Sequence, residues 1–194
     1  MIKLKAWLVV NSFLNTSKFS ELYSLLLSGA EKMGISIEVK KTSQIPLVAP
    51  PKSCDLPDFI LWWDKDVNLA LLYEQLGVRL YNPAKSIELC DNKAKTILEL
   101  SKNPNIYLPK TLFAPKTFSG IGYTDLSFLK NAEDLLGYPM IIKESYGSFG
   151  AQVHLAHDRT QAEDIIKNKI IDREFIMQEF ISQSTGREIG RAHV

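Results

Sequence analysis

Cysteine is scarce in this sequence, with only Cys54 and Cys90 among 194 residues. Two cysteines cannot build the framework of several disulfides that stabilises small secreted domains, and their spacing is not that of a metal site. A pair of reduced thiols, as in a cytosolic protein, is the simpler interpretation. We therefore expect a cytoplasmic protein.

Long apolar runs are also missing. The longest, Ala6–Val10 and Phe59–Trp63, have five residues each, whereas a membrane-spanning helix needs roughly 20. The charged start, Met1–Lys5, is followed by too short an apolar stretch for a secretory signal. These observations exclude a membrane as the expected partner.

Neither sign of charge dominates. Lys and Arg number 23 against 22 Asp and Glu, for a net charge of +1. Such a balance argues against broad, charge-driven binding of nucleic acid. Any positive site must be local. Hydrophobic residues make up 45% of the chain, which is enough for a folded core.

The first half alternates buried strands with amphipathic segments. Lys5–Val10 is predicted to be a strand buried on both faces. Apolar residues spaced by three or four predict a helix from Lys18 to Gly34, and Ile35–Lys40 alternates as a strand does. A third strand, Phe59–Trp63, follows further along. We expect a doubly wound parallel α/β unit over residues 1–85.

The second half is predicted to contain antiparallel rather than parallel strands. We expect a helix over Asp91–Ser101, begun by Asp91, and a helix capped by Asp125. Met140–Glu144 and Gln152–Ala156 are predicted to be antiparallel strands around a glycine loop, with Phe175–Phe180 as a closing strand. The remaining predicted elements are a strand over Thr111–Ala114 and a helix over Asp158–Lys167.

The glycine loop is the first candidate site. Glycines let backbone N–H groups approach phosphate oxygens closely, while Ser145 and Ser148 add hydroxyl donors. Lys143, at the end of the preceding strand, supplies a compact positive charge. The alternative is an ordinary hairpin with a solvated lysine, since two glycines three residues apart are a weak pattern.

Two further stretches are candidates. Lys93 in Cys90-Asp91-Asn92-Lys93 could close over phosphates held by the loop, although an exposed helix lysine is the commoner case. Gln178-Glu179-Phe180-Ile181 leaves its strand with backbone groups that could read a purine edge. The alternative there is a simple strand end.

Together these segments resemble the ATP-grasp superfamily, in particular RimK-like α-L-glutamate ligases. The similarity runs from about Ala6 to Glu188 and includes the motifs Cys90–Lys93, Pro109–Thr111, Ala114–Thr117, Gly137–Glu144, Gly147–Val153, Gln178–Ile181 and Gly186–Glu188.

The resemblance implies roles for single residues. Lys93 and Lys143 match two lysines that bind nucleotide phosphates, and Gly147-Ser148-Phe149-Gly150 match the loop that folds over them. Glu179, Phe180 and Ile181 match the hinge that contacts adenine, and Glu188 matches the acid at the ribose. The chemistry implied is ATP-dependent ligation of a carboxylate to an amine through an acyl phosphate, with ATP and Mg²⁺ as cofactors.

The resemblance also implies catalytic and metal-binding residues beyond residue 188, for which this sequence has no match. We expect a partial ATP-grasp domain over residues 86–188, inactive alone. Ile189–Val194 is what a common sequencing-library adapter would encode, so we expect a non-native tail over 189–194.

Three functions stay open at this point. The first is a ligase whose partners are ATP, a carboxylate and an amine such as glutamate, with a homo-oligomer as a further possibility. The others are a non-catalytic nucleotide-binding or interaction module and a D-alanine–D-alanine type of ligase.

Overall fold

The chain divides into two compact units, Met1–Glu88 and Leu89–Val194. The computed structural model describes residues 4–14, 16–45, 48, 56–148 and 150–182. Within these residues, no helix is long and apolar enough to cross a membrane. Cys54 lies outside the described residues, and Cys90 is an exposed free thiol.

The first unit is a parallel sheet with its helices connecting successive strands. The strands follow the order β2-β1-β3-β4. The elements are β1 (Lys5–Val10), α1 (Ser17–Lys32), β2 (Ser36–Lys41), a 3₁₀ helix (Thr42–Gln44), β3 (Phe59–Trp63), α2 (Val67–Gln75), β4 (Arg79–Tyr81) and α3 (Ala84–Asp91), which runs across the division. The predicted doubly wound parallel arrangement is confirmed.

Burial explains why β1 lies inside the sheet. Every residue of β1 after Lys5 is buried, and β1 pairs in parallel with both β2 and β3. A strand covered on both faces needs a continuous apolar run rather than alternation. One core cluster of this unit includes Trp7 and Trp62, and both rings lie against Tyr73.

The second unit contains an antiparallel sheet in the order β5-β8-β6-β7. Its elements are α4 (Lys93–Leu100), β5 (Thr111–Phe113), α5 (Leu129–Leu136), β6 (Met140–Glu144), β7 (Val153–Ala156), α6 (Arg159–Asp164), a π-helix (Ile165–Ile170) and β8 (Phe175–Glu179). One face of the sheet packs on a core that includes Met140, Ile142, Phe175 and Met177. The predicted antiparallel second half is confirmed.

Two predicted helix starts are wrong. Asp91 is the last residue of α3, and the side chain of Asn92 caps α4 by accepting from the N–H of Lys95 at 2.9 Å. Asp125 accepts instead from the N–H of Ser127 at 2.8 Å, and α5 begins only at Leu129. Asn92 thus caps α4 directly, whereas the bond of Asp125 closes a turn ahead of α5.

The predicted helix over Asp158–Lys167 also differs. It continues to Ile170, and its second half has π-helical rather than α-helical geometry. Ile165, Ile166 and Ile170 are all buried in this stretch. All three belong to the core cluster of the second unit.

Candidate functional site

Strand β6 has two unlike faces. Met140, Ile142 and Glu144 are buried, whereas Ile141 and Lys143 are only partly so. This alternation is the ordinary consequence of side chains pointing to opposite faces of a strand. Lys143 therefore lies on the sheet face opposite the hydrophobic core.

On that face, Lys143 belongs to a chain of hydrogen bonds across three strands. Its Nζ donates to Oε1 of Gln178 on β8 at 2.6 Å. The Nε2 of Gln178 donates to Oγ1 of Thr111 on β5 at 2.8 Å. Gln178 is only 5% exposed. A lysine that the sequence predicts at a phosphate site is thus anchored to the centre of the sheet.

Lys93 lies against the glycine loop. Its Nζ donates to the carbonyl oxygen of Gly147 at 2.9 Å, and its backbone N–H donates to the carbonyl of Ser145 at 2.7 Å. Two bonds thus connect the start of α4 with the segment after β6. The structure brings together the lysine and the loop that the sequence proposed as separate candidates.

The pKa of Lys143 reports on this environment. Burial lowers the pKa of its ammonium group, and the nearby positive charge of Lys93 lowers it further. Two cations close enough to repel each other create a local positive potential in a protein of almost zero net charge. Such a potential favours an anionic ligand.

Ser145 has a different position from the one its predicted role requires. It is fully buried, and its N–H donates to the carbonyl of Glu174 at 2.8 Å. Its Oγ is buried without a hydrogen-bond partner among the described residues. A buried hydroxyl without a partner is costly. Ser148 and Gly150 are exposed on the loop.

Glycine is required at the start of the loop. Gly147 has a φ of 117°, and a Cβ there would overlap the side chain of Gln152. Gly150 has a φ of 77°. Backbone N–H groups in such conformations can form a concave anion-binding surface. An anionic phosphate therefore fits the lysines and this loop.

The segment proposed as an adenine hinge is bonded to the backbone of Lys110 through Glu179. Glu179, the last residue of β8, accepts from the N–H of Lys110 at 2.7 Å through Oε1, and its N–H donates to the carbonyl of Lys110 at 3.0 Å. Phe180 is half-buried and Ile181 exposed.

Two of the predicted site residues, Phe149 and Glu188, lie outside the described residues, as does the predicted tail 189–194. In the part of the chain that the structure describes, no group of three or more His, Cys, Asp or Glu residues could hold a metal ion. These residues therefore give no ligand set to assign to Mg²⁺, and no step of the mechanism is derived through a metal.

The model of the RimK-like ATP-grasp domain matches residues 90–193, which is more than half of the chain. The chain belongs to the RimK-like ATP-grasp family. The family match covers α4, the glycine loop and all four strands of the antiparallel sheet. The resemblance drawn from the motifs is confirmed.

Relatives extend the similarity beyond this domain. An uncharacterised protein of Mycoplasma pneumoniae is 27% identical over 185 residues, covering 92% of this chain and 62% of its own length. N-acetylaspartylglutamate synthase A of Homo sapiens is 33% identical over 126 residues, covering 65% of this chain and 30% of the synthase. The chain thus spans less than two thirds of the length of these relatives.

A solved structure shows the same fold. The RimK domain protein ATP-grasp from Sphaerobacter thermophilus has a TM-score of 0.69 at 20% identity, covering 91% of this chain and 64% of that one. At this identity the similarity supports the fold and not the function.

Sequence reasoning missed the role of Thr111. The motif Pro109–Thr111 gives the threonine no function by itself, whereas the structure places its hydroxyl at one end of the bond chain that leads to Lys143. Thr111 and Gln178 lie on the same face of the sheet because they are paired across β5 and β8. No local pattern in the sequence indicates which residues of these two strands are paired.

Proposed function

We propose that the second unit binds ATP and that the protein is an ATP-dependent carboxylate–amine ligase. The proposal rests on one observation: Lys93 lies close to both Lys143 and the positive-φ loop at Gly147. Two ammonium groups and a glycine turn are suited to the oxygens of a triphosphate.

The proposed reaction has two steps. A carboxylate oxygen attacks the γ-phosphorus of ATP, the bond to the β-phosphate oxygen breaks, and ADP leaves. The amine nitrogen then attacks the acyl carbon and a C–N bond forms. The bond between that carbon and the phosphate oxygen breaks, inorganic phosphate leaves, and the nitrogen gives up one proton to solvent. Lys93 and Lys143 would neutralise the charge on the transferring phosphoryl group and hold it in line.

Glutamate is the amine that we propose, because the matched synthase carries glutamate in its name. Mg²⁺ is proposed to accompany the nucleotide, as the family resemblance implies, without ligands named in this chain. The cytoplasmic location and a homo-oligomeric assembly stay proposals, as do the domain limits 1–85 and 86–188.

Nucleotide binding by the full chain tests the proposal. We expect Lys143→Met and Lys93→Met each to weaken ADP binding by about ten- to a hundred-fold, because hydrogen bonds to charged groups contribute roughly 1.5–3 kcal/mol. Isothermal titration calorimetry with ADP in the absence of Mg²⁺ measures this effect.

Lys102→Met is the matched control, because this exposed lysine pairs with Glu99 on the surface of the same unit. It should bind ADP as the unmodified chain does. Absence of ADP binding by the unmodified, folded chain would overturn the proposal. ADP binding without phosphate release from ATP, glutamate and a panel of carboxylic acids would instead favour the non-catalytic module.

A further inference from the structure

The bond chain on the face of the second sheet that carries Lys143 has a defined direction. Thr111 donates its hydroxyl proton to the carbonyl oxygen of Pro109 at 2.8 Å. A carbonyl oxygen can only accept, so the hydroxyl has no second proton to give and must accept from Gln178. The Nε2 of Gln178 is the atom that faces it, at 2.8 Å.

This direction fixes the amide of Gln178. With Nε2 committed to Thr111, Oε1 points at the ammonium group of Lys143, 2.6 Å away. The opposite orientation would place an NH₂ group against an NH₃⁺ group and leave the threonine hydroxyl without a donor. The hydrogen bond between Thr111 and Pro109 therefore determines which atom of Gln178 faces Lys143.

The acceptor is also uncharged. A carboxylate in the place of the amide would neutralise the lysine and repel phosphate oxygens, whereas an amide holds the ammonium group and leaves its charge available. Gln178 is nearly fully buried and Lys143 half-buried, so neither side chain has much freedom to leave the arrangement.

We propose that Gln178 and Thr111 are positioning residues that hold the ammonium group of Lys143 towards the phosphates of a nucleotide while keeping its charge uncompensated. This inference rests on the proposed function, because it requires that Lys143 meets phosphate. It gives Gln178 a role different from contact with a purine edge, which the sequence suggests for the strand end Gln178-Glu179-Phe180-Ile181.

The full chain provides the test, with ADP and adenosine as separate probes. Thr111→Val removes only the hydroxyl, and we expect ADP binding to weaken about fivefold, which corresponds to one neutral hydrogen bond. Gln178→Met should weaken it by about tenfold, because a bond to a charged group is stronger. Adenosine, which has no phosphate, should bind all of these variants as it binds the unmodified chain.

Two further variants give readouts that a merely structural role would not move. Thr111→Ser keeps a hydroxyl and should restore ADP binding relative to Thr111→Val. Gln178→Glu should weaken ADP binding more than Gln178→Met does at neutral pH, and this excess should shrink as the pH falls towards the range in which a carboxylate takes up a proton. Thr117→Val, whose hydroxyl donates to Gly122 instead, is the matched control for the loss of a threonine hydroxyl.

These binding measurements distinguish failure of the positioning role from failure of the proposed ATP-binding function. If the unmodified chain does not bind ADP, the proposed function fails. Circular dichroism shows whether Thr111→Val and Gln178→Met are folded. If both folded variants bind ADP as tightly as the unmodified chain does, only the positioning role fails. Equal loss of ADP and adenosine binding would show a general structural role and overturn the inference.

Discussion

Gly147 holds a backbone conformation that residues with a side chain rarely adopt. Its φ is 117°, and an added Cβ would overlap Gln152. Its carbonyl also accepts the bond from Lys93. A change at this residue therefore disturbs both the turn and the position of a proposed phosphate-binding lysine.

We expect Gly147→Ala to reduce the free energy of unfolding by about 1–2 kcal/mol, because an L-residue at positive φ is strained, and to weaken ADP binding as well. Gly150→Ala is the matched comparison: its φ is 77°, but nothing lies within 4 Å of an added Cβ. Urea unfolding and ADP titration of both variants measure the two effects. A smaller loss for Gly147→Ala than for Gly150→Ala would contradict the importance of the overlap.

Single residues of the site differ in how far the sequence reveals them. Lys143 and Gly147 lie four residues apart in a short strand-and-loop segment. The local pattern made them candidates, and the resemblance to a family gave them a role. Gln178 lies 35 residues from Lys143, and its bond to that lysine depends on strand pairing. The sequence pattern placed Gln178 at a strand end but could not indicate which side chain it holds.

At the scale of elements, Glu133 joins α5 to two neighbouring segments. Its Oε1 accepts from the hydroxyl of Tyr138 at 3.1 Å, and its Oε2 accepts from Arg159 of α6 at 3.0 Å. Burial raises the pKa of Tyr138 to about 12, and the bond to Glu133 and the charge of that carboxylate contribute to the rise. The folded protein therefore favours the neutral phenol.

This shift predicts a loss of stability at alkaline pH. An unfolded tyrosine loses its proton near its ordinary pKa of 10.0, whereas folded Tyr138 keeps it until about 12. Between these values the folded state binds more protons, so its stability falls as the pH rises. The contribution is fully present below about pH 10 and is lost as the pH passes through the folded pKa.

Tyr138→Phe should therefore lose less stability than the unmodified chain between about pH 9 and pH 11. Urea unfolding at both pH values measures the difference. Tyr107→Phe is the control, because the side chain of Tyr107 is fully exposed. An unchanged pH dependence in Tyr138→Phe would show that the tyrosine is not held neutral by its surroundings.

Elements with a strong pattern followed the sequence closely. β1, β3 and β6 begin and end at the predicted residues, because each is a short apolar run bounded by polar residues or turns. The π-helix Ile165–Ile170 could not be predicted in this way. Its buried isoleucines indicate a helix, but the sequence pattern does not distinguish π-helical from α-helical winding.

At the scale of the whole molecule, the two units differ in what they contain. The first unit has a parallel sheet, and the second has an antiparallel sheet that carries Lys143 on the face opposite its hydrophobic core. Lys93, Gly147 and Gln178 also lie in the second unit. The proposed phosphate contacts therefore come from one unit of the chain.

This division predicts where a nucleotide protects the protein. Amide hydrogen exchange in the presence of ADP should slow most in the second unit, at β6, β8 and the start of α4, because a ligand stabilises the segments it contacts against local opening. Exchange in β1 and β3 of the first unit should change much less. Mass spectrometry of peptides from the full chain, with and without ADP, measures both regions in one experiment.

Lys143→Met at the same ADP concentration is the control, since weaker binding should return the second unit to the exchange rates seen without nucleotide. Equal slowing in both units would contradict a phosphate site confined to the second.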